Sequence, residues 1–180
     1  MTPLRADAAR SRERILAAAA AQDRAALRLN DVARAAGVGV GTVYRHFPTV
    51  DALVEELTAA TVERALDAAR AALALDDAGA AFHGFLAAML DLLLADEGLQ
   101  QVLLAADGSS SVVRDARAEL TRSAATLLDR AQRAGAVRTE LTLDQLMHLA
   151  CGFEHTVRLG APEDRGTITA VFRAGLRPDR

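Results

Sequence analysis

Apolar residues recur along this chain at intervals of three and four, the period that lines one face of an α-helix. Between about residues 10 and 22, Ile15, Leu16, Ala19 and Ala20 mark such a face, behind a loose arm over residues 1–9. Asn30 is placed to cap a short helix through Ala36, with Val32 and Ala33 inward. Gly37 can end that helix in the left-handed conformation, and Val38 then plugs the space before a second short helix. That second helix starts at Gly39 or Val40 and runs to about His46. Pro48 cannot extend it, and Thr49 can cap the next. The next helix is long, covering about 49–73, with Leu53, Val54, Leu57, Thr61 and Ala65 on its apolar side and no Gly or Pro inside.

The same period continues downstream. After the acids Asp76 and Asp77, the residues Phe82, Phe85, Leu86, Met89, Leu90 and Leu93 fall on one helical stripe. A short apolar helix is expected from Leu99 to Ala105, ending near Gly108. Serines 109–111 can cap another that carries Val113, Ala116, Leu120, Ala124, Leu127, Leu128 and Ala131 to a stop at Gly135. Thr142-Leu143-Asp144-Gln145 has the form of a capping box, opening a helix with Leu146, Leu149, Ala150, Phe153 and Val157 inward. Pro162 suits a first helical turn, and a last helix carries Ile168, Val171, Phe172 and Leu176. Strand-type alternation and internal repeats are absent. The chain reads as all-α.

Composition agrees and narrows the setting. Apolar residues make up 51% of the chain and charged residues 25%, which suits a packed core. Aromatics are scarce, so Leu, Val and Ala must build that core. The single cysteine, Cys151, excludes an internal disulfide and a paired-Cys zinc cluster. A continuous apolar run of the roughly 18 residues that a membrane span needs is not found. Met1 to Arg14 lacks the apolar segment of a signal peptide, so a cytoplasmic setting is expected.

Charge is unevenly spread. Residues 1–50 carry eight Arg against four acids, and residues 51–180 thirteen Arg against twenty acids. A basic N-terminal third on an acidic body suits contact with a polyanion at one end. That end also holds helix, glycine turn, helix, the layout of a DNA-reading helix-turn-helix. On its second helix Thr42, Tyr44, Arg45 and His46 supply hydroxyl and cationic donors, while Val43 and Phe47 stay apolar four residues apart.

The run from Val32 through Thr49, with its core Gly-Val-x-x-Gly-Thr-x-Tyr-x-His-Phe over residues 37–47 and then Ala52-Leu53, resembles the DNA-binding domain of TetR-family transcriptional regulators. The clear match covers about residues 10–57. The resemblance implies a helix-turn-helix DNA-binding domain over residues 1–48. A helical regulatory and dimerisation domain over 49–180 would follow, entered through the connecting helix. It further implies a homodimer paired through its last two long helices, a pseudo-palindromic double-stranded DNA operator, and a small-molecule effector that releases a repressor. Carried over by position, Val40, Thr42 and Arg45 match residues that face base edges or nearby backbone. Gly41, Tyr44 and His46 match backbone-contacting positions. Arg28 and the cap Thr49 complete the candidate DNA-binding set.

Three departures from the family pattern stand out. Val50 replaces a frequent Lys or Arg, which removes one candidate phosphate contact. The stretch between Ile15 and Leu29 is about three residues short, and Gly39 replaces the usual Ser or Thr cap. The first two leave a second reading open, a helical small-molecule-binding protein with degenerate DNA binding.

An effector cavity would be mostly apolar with few polar groups. Candidates are Phe82, Phe85, Met89, Leu127, Met147 and Cys151, with His83, His148, Glu154 and His155 as polar partners. His148, Cys151 and His155 share a helical face that invites a metal. However, the two histidines lie two turns apart, about 10.5 Å along the axis, too far to hold one ion. No metal, cofactor or catalytic function is expected. Glycine-rich phosphate loops, nucleophile elbows and paired-Cys motifs are all missing.

Overall fold

The computed structural model describes residues 3–104 and 111–178, and every regular element among them is helical. The first helix, α1 (Pro3–Ala20), begins well before the expected start near Arg10, so most of the expected arm is helical. Proline is favoured in a first turn, where its missing N–H is not needed, and the Ala, Arg and Leu that follow are strong helix formers. A 3-10 turn at Arg24–Ala26 leads to the short α2 (Leu29–Ala36). Here Arg28, not Asn30, holds the cap position. Its backbone is extended (φ −133°, ψ 130°), and its carbonyl accepts from Asp31 and Val32 N–H at 3.0 Å each. Burial of Leu29 draws the helix start forward by placing that residue in the core.

The turn at Gly37 (φ 61°, ψ 39°) opens onto α3 (Val40–His46). Thr49 then accepts from the Ala52 amide at 3.1 Å and caps α4 (Val50–Leu73). The helices α1, α2 and α3 close around Ile15, Val32, Val43 and Phe47, and Leu53 of α4 joins that cluster.

Beyond α4 come α5 (Ala78–Ala95), α6 (Glu97–Leu104), α7 (Ser111–Arg133), α8 (Leu143–Leu159), a 3-10 turn at Pro162–Asp164 and α9 (Arg165–Gly175). Asp77 caps α5. Thr142 and Gln145 form the reciprocal capping box expected for α8. Gly135 (φ 68°) ends the turn after α7 in the left-handed region. The expected stop at Gly108 and the serine cap at 109 and 110 lie outside the described residues.

The body is built on α4, which packs against α5, α6 and α7, while α5 also packs on α7 and α8. Phe82, Leu99, Leu127 and Val137 fill the centre. By length and composition α5 alone, among the described residues, could cross a membrane, with a mean hydropathy of 1.7 over its 18 residues. In this fold those residues lie between other helices of the body. Three expectations of burial fail, the first at Ala20, which is exposed at the end of α1. Leu149 on α8 is 49% exposed and Val171 on α9 is 68% exposed, because both point to the outer face of the α8–α9 pair.

Candidate nucleic-acid interface and body pocket

The turn of the helix-turn-helix is fixed from α1. The Arg14 guanidinium donates to the Ala36 carbonyl at 2.5 Å and to the Gly37 carbonyl at 2.9 Å, meeting acceptors that the end of α2 leaves open. Gly37 is required here twice over. Its φ is positive, and a Cβ would sit 2.8 Å from Arg14 Nη2. In the sequence Arg14 counts only as charge; nothing local marks a contact across 22 residues.

With the turn set, α3 shows two unlike sides. Val43 and Phe47 are buried. Val40 is 44% and Tyr44 48% exposed, Gly41 and Arg45 are exposed, and Thr42 and His46 are half-buried. Val40 and Tyr44, four residues apart, leave apolar surface on the open side of this seven-residue helix. Arg45 Nη2 donates to Thr42 Oγ1 at 3.0 Å. A Cβ on Gly41 would meet nothing within 4 Å, so the space it leaves faces solvent. On the inner side, Arg12 lies over the Phe47 ring at 5.8 Å and pairs with Glu56 of α4 at 2.5 Å, bracing α1 against the start of α4.

Arg28, Tyr44 and Thr49 converge on one cleft of about 500 Å³ between the start of α2 and the start of α4. Asn30 and Arg34, which the sequence did not single out as DNA-binding, line it too. Val40, Gly41 and Arg45 lie on α3 outside that cleft. Arg28 makes no side-chain cap bond within α2, and Val50 lines the cleft where the family often has a cation.

The body holds a second concavity, an apolar cavity of about 80 Å³ between α5, α6, α7 and α8. Phe85, Met89, Met147 and Cys151 line it, together with Leu86 and Leu120, which the sequence offered only as core, and Leu103 and Leu104 of α6. The other candidates are dispersed. Phe82 and Leu127 belong to the packed centre. His83 sits edge-on to Phe82 at 5.5 Å, where burial first, then the charges of Arg173 and Arg177, push its pKa down. His148 lines the outer groove between α8 and α9, and His155 is exposed. Glu154 is buried and ion-paired to Arg158, which also reaches Glu97 at 2.8 Å. The face that His148 and Cys151 share on a helical wheel is thus divided, Cys151 inward and His148 outward.

Between cleft and cavity lies α6. It presses so closely on α4 that a Cβ on Gly98 would overlap Thr58 Oγ1, a buried hydroxyl with no hydrogen-bond partner among the described residues. Asp96 accepts from Thr61 of α4 at 2.6 Å, and Gln101 donates to Asp51, in the first turn of α4, at 2.7 Å.

Comparison with known proteins meets this geometry at both ends. The profile of bacterial regulatory proteins, tetR family, matches residues 15–57, and that of the SbtR-like transcriptional regulator C-terminal domain matches residues 77–178. The second covers more than half of the chain. The protein belongs to the TetR family of transcriptional regulators. A TetR transcription regulatory protein from Mycobacterium vanbaalenii is 38% identical over 97% of this chain and 99% of its own (TM-score 0.47). The TetR regulator SCO0520 from Streptomyces coelicolor is 28% identical over 94% and 99% (TM-score 0.55). PfmR from Thermus thermophilus shares the fold at 20% identity over 94% and 97% (TM-score 0.62). No curated protein matches.

Within this TetR-family chain the short first connection is closed by local bonds. Gln22 Nε2 donates to the Ala18 carbonyl at 3.1 Å, and Leu27 and Leu29 are buried at the junction. Gly39 caps α3 through its backbone alone, its carbonyl accepting from the Thr42 amide at 2.8 Å.

Proposed function

We infer that this regulator is a homodimeric repressor whose two α3 helices read a pseudo-palindromic operator, and that a small molecule entering the body releases it. The observation that carries the reading is the division of α3. Val43 and Phe47 anchor it while Val40, Gly41, Tyr44 and Arg45 stand in water. Residues 1–48 form the reading head and 49–180 the regulatory and dimerising body.

Arg45 offers paired donors to guanine, and Val40 and the Thr42 methyl suit a thymine methyl. Gly41 allows the helix backbone close to the duplex. Arg28, Tyr44, His46 and Thr49 position the head on phosphates. The α8–α9 face supports the dimer, because Leu149 and Val171 line its outer groove, and Leu159, at the end of α8, is 77% exposed. Two heads would then read successive major grooves about 34–36 Å apart.

Release follows from differential affinity. A ligand that favours one setting of α4 shifts the head spacing, through the α6 contacts at Thr61 and Asp51. The test is a salt titration of the purified protein on a duplex from its own upstream region, against a scrambled duplex. Preference for the native duplex with affinity falling linearly in log salt is expected. Equal weak binding to both duplexes would assign the function to the body alone.

A further inference from the structure

The body cavity specifies the chemistry of what fills it. Among the described residues, no charged side chain lines it. Only two lining side chains carry a hydroxyl or thiol. Thr121 Oγ1 already donates to the Arg117 carbonyl at 2.9 Å. The Cys151 thiol is pushed up by burial and by Glu154, which keeps it neutral. Glu154 itself is turned to Arg158. A ligand entering here surrenders its hydration and finds only the Thr121 oxygen as an acceptor and the Cys151 thiol as a weak donor, which disfavours charge and penalises each further polar group.

The cavity is small, about 80 Å³, against about 150 Å³ for an engineered cavity that takes benzene. Its walls must therefore yield. Met89 and Met147 are long, flexible thioether chains suited to that, and Leu104 is 44% exposed beside the cavity.

We propose that the effector is an uncharged, largely hydrocarbon molecule seated among Phe85, Met89, Leu103, Leu120, Met147 and Cys151. This rests on the repressor reading for its consequence, but its test does not. Cys151 is the only thiol of the chain and reports occupancy. The reaction of Cys151 with dithiodipyridine is followed on the full-length protein, with octanol and octanoate at equal free concentrations. Octanol should slow the reaction saturably, by roughly the factor 1 + [L]/Kd, and octanoate should not. Ala124→Leu, which fills the cavity, should abolish the protection while native-like thermal unfolding persists. Protection by octanoate equal to or above that by octanol overturns the proposal, and so does absence of protection by either. Operator binding is measured on the same preparation without additive. Its loss counts against the repressor reading alone, whereas failed discrimination with operator binding intact counts against the effector class alone.

Discussion

Arg45 donates to the hydroxyl of Thr42 across 3.0 Å on the exposed side of α3. The bond uses one of the five guanidinium donors and lays the side chain along the helix toward its first turn. The rest stay free to grip a base edge. Arg45→Ala should cost about 1–3 kcal/mol on the preferred operator and relax preference at one base pair. Arg45→Lys should keep the charge and lose the paired grip. Affinities across a set of single-base operator variants decide it, and unchanged preference in both variants would remove Arg45 from the reading set.

Gly41 separates folding from binding. A Cβ there meets nothing within the protein, and alanine favours a helix over glycine by about 0.5–1 kcal/mol. Gly41→Ala should therefore raise the urea midpoint slightly and weaken operator binding. A variant that is more stable and binds as well as the parent would show that the duplex does not approach this backbone.

Arg14 holds the turn between α2 and α3 through two carbonyls. Arg14→Ala leaves them to water or to no one, at about 1–3 kcal/mol, since hydrogen bonds from a charged donor exceed neutral ones. Urea unfolding should show the loss, and Arg14→Lys should restore part of it. A loss below about 0.5 kcal/mol, as expected for a free surface position, would mean that α1 does not brace the turn.

Gly98 and Thr58 are coupled across α6 and α4. Gly98→Ala should destabilise by about 1–3 kcal/mol, as overpacking does. Thr58→Ala removes both the clash and an unpartnered buried hydroxyl. The double variant should recover part of the loss, Val54 still standing 3.1 Å from the added methyl. Strict additivity in a double-mutant cycle would deny the contact.

His83 gives a pH dependence of known sign. Its folded pKa lies below the ordinary imidazole value, chiefly through burial, so the folded state prefers the neutral ring. Its contribution is fully present above the unfolded value of about 6.5 and is lost as pH falls from there through the folded value. His83→Gln should flatten that part of the curve of urea midpoint against pH, measured between about pH 5 and 8. An identical curve in the variant would place the titration elsewhere.

What the sequence determined by itself is what short-range energetics decide. Thr49 and the Thr142–Gln145 box fix helix starts through bonds that reach only to the next turn. Gly37 and Gly135 fix helix ends because a positive φ suits a residue without Cβ. The spacing of Val43 and Phe47 already turned α3 inside and out. The tertiary structure decided what depends on which helices meet. It moved the α2 cap from Asn30 to Arg28, where burial of Leu29 outweighs a better capping side chain. It brought Arg14 to a turn far along the chain, divided Cys151 from His148 on α8, and left Leu149 in water. A helical period gives the direction of a side chain about its own axis, but not the neighbour on that side. The neighbour is set by packing between helices distant in sequence.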